Sequence, residues 1–389
     1  MIYKILSVVS SRLIQMLSSV IALMVITRFL EPNEYAKYQE LFIPASIFSN
    51  LMYATVNGAY SRWFYGNNES IKFSLYIVAF NLILSLIVFY LFDLDWKILF
   101  IAHALGFALL SNTYARVNDY NILFLYQNLS RSIIYVILVY ILLKHYKDYN
   151  YIVISLITSC VIVSLITIKS VIKHYRISRE LVLRFKTYIS FGLQTGIATG
   201  VTVINLNLDK LIVSKHLKSE IFGAYVANSQ FVEFAVVAIF SLISSIVYPE
   251  LVKKRNDSKS ILNLIAMYIN CMSFLGVMLI AIVHFFGKEI VSLALGDGYS
   301  LTSIVLVYIT LNVVLSSLKS NCIDIALNIM NKVKFIILTS LTSLILFFVF
   351  SLKLSNSATI EDIVLIGILS KLLACFLSLF FIYRNRILL

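Results

Sequence analysis

Charge is scarce in this chain. Only 13% of its 389 residues are Asp, Glu, Lys or Arg, while 60% are hydrophobic, and a globule of that size cannot coat itself with so little polar side chain. The shortage excludes a water-soluble fold. Cysteine is thin as well. Cys160, Cys271, Cys322 and Cys375 all lie in or beside apolar stretches without paired spacing, which excludes a disulfide framework and a thiolate metal cluster. His103, His145, His174, His216 and His284 are scattered, with no HExxH, no HxxxD and no Ser/His/Asp grouping, and no GxxxxGK[ST] supplies a nucleotide-phosphate loop. The polar intervals are too short for a soluble domain, so neither a reactive constellation nor a place to build one is visible. The expectation is a non-enzymatic protein without cofactor or metal, driven by an ion gradient, the membrane potential or the gradient of its cargo.

What the chain has in abundance is apolar runs of about 20 residues, the length that crosses roughly 30 Å of hydrocarbon. They predict an all-α integral membrane protein with about twelve spans. The spans are Val8 to Phe29, Tyr38 to Tyr60, Phe73 to Phe92, Trp96 to Val117, Ile122 to Leu143 and Tyr151 to Ile172, then Ile189 to Ser214, Phe222 to Tyr248, Ile261 to Phe286, Leu301 to Leu318, Phe335 to Leu354 and Ile363 to Tyr383. The runs are too long, and too uniformly apolar, for strands of a barrel. The first carries no small-residue cleavage site and reads as a retained anchor.

Thr27 to Tyr38 (TRFLEPNEYAKY) is echoed by Ser214 to Tyr225 (SKHLKSEIFGAY), each where one span gives way to the next. Leu30/Leu217 and Tyr38/Tyr225 are identical, and conservative pairs fill in others. The echo predicts a duplicated bundle, the architecture in which a site lies between two related halves. The basic interval Lys169 to Lys186 divides the chain nearly in half. The expected organisation is an N-lobe over 1–175, a cytoplasmic linker over 176–186 and a C-lobe over 187–389, two pseudo-symmetric six-helix lobes around a central cavity. One side of the predicted membrane collects roughly twice as many Lys and Arg as the other, which puts both termini in the cytoplasm. The net charge of +13 is explained by anionic headgroups beside the spans and not by nucleic acid.

Polar residues within the spans fall into stripes. Thr195, Thr199, Thr202, Asn205 and Asp209 share one face of the seventh span beside a doubled GxxxG of Gly192, Gly196 and Gly200. Ser11, Gln15 and Ser18 line the first span beside Arg12; Asn50, Tyr53, Asn57 and Tyr60 line the second with groups suited to sugar hydroxyls. Such stripes either line a wet cavity or hydrogen-bond neighbouring helices. Intramembrane cations are costly and face inward or snorkel. Arg12 and Arg116 lie near span ends, where snorkelling competes with a ligand role. Arg131, on one face with Gln127 and Tyr135, points inward; Lys371 needs a partner the sequence does not identify. Asp209, Lys210 and Glu233 suggest a gate, a site for a coupling proton or sodium ion, or a structural salt bridge.

RFLEPNEYAKYQ after the first span, LDKLIVSKHLKSEIFGAYVAN across the seventh and eighth, YPEL closing the eighth and LALGDGYS before the tenth resemble the polysaccharide flippases. These belong to the multidrug, oligosaccharidyl-lipid and polysaccharide exporter superfamily. The resemblance implies two lobes rocking between inward-open and outward-open states in a bacterial inner membrane. It implies a cargo of undecaprenyl-pyrophosphate-linked oligosaccharide for O-antigen or capsule synthesis, with membrane lipids and a polysaccharide polymerase as partners. It further implies that cations of the N-lobe hold the pyrophosphate: Arg12 and Arg131 first, then Arg62 and Arg116. Rival expectations are an ion-coupled multidrug antiporter of the same fold, which calls for acidic N-lobe residues where these spans offer only Glu40, a membrane-embedded polymerase or glycosyltransferase, and a scaffold for the polymer machinery.

Overall fold

The computed structural model describes residues 2–63, 81–87, 89–91, 93–117, 121–172, 185–253, 258–330, 333–354 and 358–387. These form twelve helices and no strand. The first six are α1 (Ile2–Phe29), α2 (Pro32–Trp63), α3 (Asn81–Leu91), α4 (Trp96–Val117), α5 (Asn121–Tyr146) and α6 (Asn150–Ile172). They are followed by α7 (Phe185–His216), α8 (Ser219–Lys253), α9 (Ser258–Leu295), α10 (Ser303–Ile329), α11 (Val333–Ser351) and α12 (Ile360–Ile387). Hydrocarbon leaves a backbone no partner but itself, so helices satisfy every span internally. Eight of the twelve are long and apolar enough to cross a membrane, and α1, α3 and α6 hold shorter apolar stretches. α2 is long but breaks its apolar run with Gln39, Asn50 and Asn57. Large apolar side chains are bare on the outside, among them Leu17, Phe100, Phe274, Phe285 and Phe376, as a lipid-facing surface requires. The protein is a multi-pass membrane protein.

Two compact units divide the chain. One comprises Met1–Leu30 with Lys37–Val203, the other Glu31–Ala36 with Ile204–Leu389. The division falls inside α7. The linker expected over 176–186 lies outside the described residues, except where 185–186 open that helix.

In the first unit, α1 packs on α5, and α4 and α5 both pack on α6. Ala104 and Ala108 of α4 meet Cys160 of α6, small side chains that bring two backbones close. The ring of Tyr53 (α2) fills the space where a Cβ on Gly106 would stand, and Leu51 does the same at Gly200 of α7. The Tyr53 hydroxyl bonds His103 Nδ1 at 2.8 Å, and His103 Nε2 bonds Ser85 Oγ at 2.8 Å. Ser85 donates to the Leu82 carbonyl. A neutral imidazole with its proton on Nε2 satisfies this chain completely, so three buried polar groups are held without a charge.

In the second unit, α10 packs on α8, α9 and α12, and α12 packs on α11. The helix α10 is not uniform: it runs as Ser303–Leu318, passes through a π turn at Lys319–Ile323 and resumes over Asp324–Ile329. A π turn inserts one residue and widens the ring, leaving carbonyls to find other donors. Here the Asn321 carbonyl accepts from Ser244 Oγ at 2.8 Å and Tyr268 Oη at 2.7 Å. Lys319 is turned inward to Asp324 (2.9 Å) and Ser340 Oγ (2.9 Å). The tenth span, expected to stop at Leu318, therefore continues to Ile329, because Lys319 meets its charge partner one turn further on and need not reach water.

The short segment Glu31–Ala36 joins α1 to α2 but belongs to the second unit. Pro32 presents its carbonyl where a Cβ on Gly223 would stand, so only glycine admits this approach. Tyr35 donates to Gln230 Oε1 at 2.6 Å and meets Tyr299 edge to face. Tyr299 lies in a single 3-10 turn, Asp297–Tyr299, outside the spans, and its carbonyl accepts from Asn228 Nδ2 at 2.7 Å. Burial, and then the Glu31 carboxylate, push its phenol above the ordinary range, so it stays a neutral anchor.

Candidate functional site

In the first unit the described residue best suited to an anionic ligand is Arg131 of α5. It is half-buried, and no hydrogen bond or ion pair engages it among the described residues. Gln127, one turn before it, is buried; Asn128 accepts from Asn112 Nδ2 at 3.3 Å; Tyr135, one turn after, bonds Tyr38. The helix thus surrounds one uncommitted guanidinium with polar groups already tied to protein. In unit 1 no carboxylate is buried among the described residues, and Glu40 is exposed. A guanidinium in a membrane span without a counter-charge costs roughly 2.5 to 3.5 kcal/mol on insertion scales, and a planar fork of donors is the group that best grips a diphosphate.

The other expected ligands of that unit divide. The side chains of Arg12, Arg62, Arg116, Asn57, Tyr60 and Thr195 lie outside the described residues. Gln15 is half-buried, its carbonyl taken by Ser18 and Ser19. Asn50 turns its amide back to the Ser46 carbonyl at 2.8 Å. Tyr53 is fully buried with its hydroxyl on His103. Thr199 is half-buried, and Thr202 donates to the Ala198 carbonyl at 2.9 Å. Asn205, the next member of the α7 stripe, belongs to the second unit and exchanges hydrogen bonds with Ser343 of α11 at 3.2 and 3.3 Å.

The second unit holds a denser ionic centre. Consecutive residues Asp209 and Lys210 project from α7 and are 3% and 5% exposed. Asp209 Oδ2 accepts from Tyr225 Oη of α8 at 2.6 Å and from Asn312 Nδ2 of α10 at 3.2 Å, while Oδ1 has no partner. Lys210 reaches the Glu233 carboxylate of α8 at 3.1 Å. Asp209, Lys210, Glu233 and Asn312 line one cavity of about 240 Å³ within this unit, together with Ser316, Asn321 and Lys371 of α12. The structure thus brings Asp209, Lys210 and Glu233 together, places Lys371 in the same cavity, and adds two groups not expected from the sequence, Tyr225 and Asn312. Tyr225 could have been found, since it is one of two residues identical between the echoed segments; Asn312 carries no such signal.

A family model described as polysaccharide biosynthesis protein matches residues 97–304. Among solved structures, the chain is similar to the lipid II flippase MurJ in an inward closed conformation, at 17% identity and TM-score 0.71, with 98% of this chain and 87% of that one covered. It is also similar to an inward-facing multidrug resistance MATE transporter of the MOP superfamily, at 12% identity and TM-score 0.66, with 95% of each chain covered. A third likeness is to a MOP superfamily transporter from Pyrococcus furiosus whose binding pocket is described as reversed in polarity, at 11% identity and TM-score 0.63, covering 98% of this chain and 95% of that one. No curated protein matches by sequence. The fold is that of these MOP-superfamily transporters.

Proposed function

The chain belongs to the polysaccharide biosynthesis protein family, and we propose that it is a flippase for an undecaprenyl-pyrophosphate-linked oligosaccharide repeat unit. It works by alternating access in a bacterial inner membrane, with both termini cytoplasmic, for O-antigen or capsule synthesis. The six-helix halves over 1–175 and 187–389, joined by the basic linker 176–186, are its moving bodies. The observation that carries this reading is Arg131, a half-buried intramembrane guanidinium without a carboxylate partner among the described residues.

Diphosphate and sugar cannot cross hydrocarbon unaided. Arg131, with Arg12, Arg62 and Arg116, holds the pyrophosphate through charge-assisted bonds. Gln15, Asn50, Asn57 and Tyr60, and the α7 stripe of Thr195, Thr199, Thr202 and Asn205, provide the polar lining for the sugars, while Tyr53, fully buried with its hydroxyl on His103, is a packing group and not a ligand. The polyprenyl tail remains in the bilayer. Asp209, Lys210 and Glu233 form the gate or the coupling site, which takes a proton or a sodium ion. Membrane lipids and a polysaccharide polymerase are the expected partners, and the protein catalyses no bond-making step of its own.

The test is reconstitution in vesicles with a fluorescent undecaprenyl-pyrophosphate oligosaccharide, scored by protection of the label from an external quencher. Protein-dependent transbilayer movement that Arg131→Ala removes supports the reading. Movement that survives Arg12→Ala with Arg131→Ala sinks the assigned site, and no movement by the unaltered protein sinks the cargo.

A further inference from the structure

The cavity of the second unit contains a cation that nothing so far has used. Lys371 of α12 is 5% exposed, lines the cavity, and makes no hydrogen bond or ion pair with any described residue. Every other charge near it is at least partly committed. Lys210 is bonded to Glu233, Lys319 to Asp324, and Asp209 Oδ2 to Tyr225 and Asn312. The exception is Asp209 Oδ1, which is buried with no partner. Lys371 feels the fields of Asp209, Lys210 and Glu233 across the cavity and of Cys375 one turn along its own helix.

This arrangement is hostile to a metal ion. Two ammonium groups already line the space that a sodium ion would enter, and a hard cation needs several oxygens that are free to turn toward it. Of the cavity's carboxylates, one oxygen of Asp209 is unclaimed, while Glu233 is neutralised by Lys210. The carbonyl oxygen of Asn312 is also without a hydrogen-bond partner, but it stands 3.2 Å from where a Cβ on Gly367 would be and so faces the α12 backbone. The positive charge that a bound metal would bring is supplied by Lys371, tethered to its helix.

We propose that this cavity is a proton-binding site, with Lys371 as the group that releases and regains the proton, and that the proton takes the place of a metal ion as the coupling species. The inference rests on the flippase reading for its purpose but not for its test. In the step itself an N–H bond of the Lys371 ammonium breaks, the electron pair stays on nitrogen, and the proton passes to a water in the cavity, whose volume of about 240 Å³ has room for several. With Lys371 charged, the two lysines balance Asp209 and Glu233. With it neutral, the cluster carries one net negative charge, and Asp209 must draw Lys210 away from Glu233 or be left uncompensated. Protonation therefore selects between two pairings across α7, α8 and α12, which is the differential interaction that a coupled transition needs.

The experiment uses the full chain in vesicles of defined lipid on a solid-supported electrode, without any glycan. A pH step at constant sodium should evoke a transient charge displacement, and a sodium step at constant pH should evoke none. Lys371→Arg keeps a positive charge but cannot release its proton, and it should abolish the pH response, as should Lys371→Met; Lys353→Met, at an exposed position, should leave it intact. A response to sodium, no response to pH in the unaltered protein, or a pH response that persists in Lys371→Arg overturns the proposal. Where the substitutions impair folding, the sodium and proton arms on the unaltered protein still decide. A pH response in a protein that moves no polyprenyl glycan leaves this proposal standing and sinks the cargo reading alone.

Discussion

Asp209 is a carboxylate in a membrane helix whose two oxygens have different fates. Tyr225 and Asn312 both donate to Oδ2, and Oδ1 has no donor. Removing the phenol leaves Oδ2 with one donor at 3.2 Å, so Tyr225→Phe should lower thermal stability in detergent by about 1 to 3 kcal/mol, the range for under-satisfying a buried charged acceptor. Ser343→Ala, whose partner Asn205 is half-buried and neutral, should cost no more than about 1 kcal/mol. Equal losses would show that Asp209 is hydrated and not gripped. At the same scale, Arg131→Lys should retain part of the transport that Arg131→Ala loses, because an ammonium keeps the charge while giving up the two-pronged grip; vesicle flux measured on the two variants distinguishes charge from geometry. The adjacency of Asp209 and Lys210 is readable in the sequence, and so is the intramembrane position of Lys371. That Lys371 faces them is not readable, because the partner of an inward-facing residue depends on which helices pack together, and no pattern along α12 encodes that.

At the scale of the element, hydropathy made the spans legible, since about 20 apolar residues can be little else in a bilayer. The π turn of α10 left no such trace. One inserted residue does not change an apolar average, and Lys319 reads as the end of a span until Asp324 and Ser340 are seen beside it. The docking of Glu31–Ala36 on the second unit was equally hidden, although the segment belongs to the echoed stretch that marks the duplication. Glycines test that docking cleanly. A Cβ at Gly223 would overlap the Pro32 carbonyl, whereas one at Gly298 would meet nothing within 4 Å. Backbone cannot turn aside as a flexible side chain can, so Gly223→Ala should cost about 1 to 3 kcal/mol. Gly298→Ala should stay within about 0.5 kcal/mol. Thermal unfolding of both variants is the measurement, and a silent Gly223→Ala would mean that Pro32 does not hold this contact.

Across the whole molecule the sign of the charges matters more than their number. The net +13 is mostly a property of the membrane surface, where lysines and arginines beside the spans meet anionic headgroups, and it does not by itself identify a cargo. The discriminating charges are those inside. Among the described residues of the first unit a half-buried arginine stands without a carboxylate, and no carboxylate is buried. The second unit, by contrast, pairs Glu233 and Asp324 with lysines and holds Asp209 on Tyr225 and Asn312. A cationic drug would meet repulsion in the first unit and, in the second, carboxylates that share their cavity with Lys210 and Lys371, whereas a diphosphate would find an open donor fork. The same fold carries MATE transporters and a lipid II flippase, so architecture cannot separate the two cargoes and the interior charges must. Vesicles containing the protein should therefore leave ethidium distribution unchanged under an imposed proton or sodium gradient. Movement of a fluorescent polyprenyl-pyrophosphate glycan should instead be inhibited by a non-fluorescent analogue that keeps the diphosphate, and at least about tenfold more weakly by the monophosphate, which lacks the second anionic group for the arginines to grip. Ethidium extrusion that Arg131→Ala leaves intact would reverse the assignment and place this chain with the drug exporters of its fold.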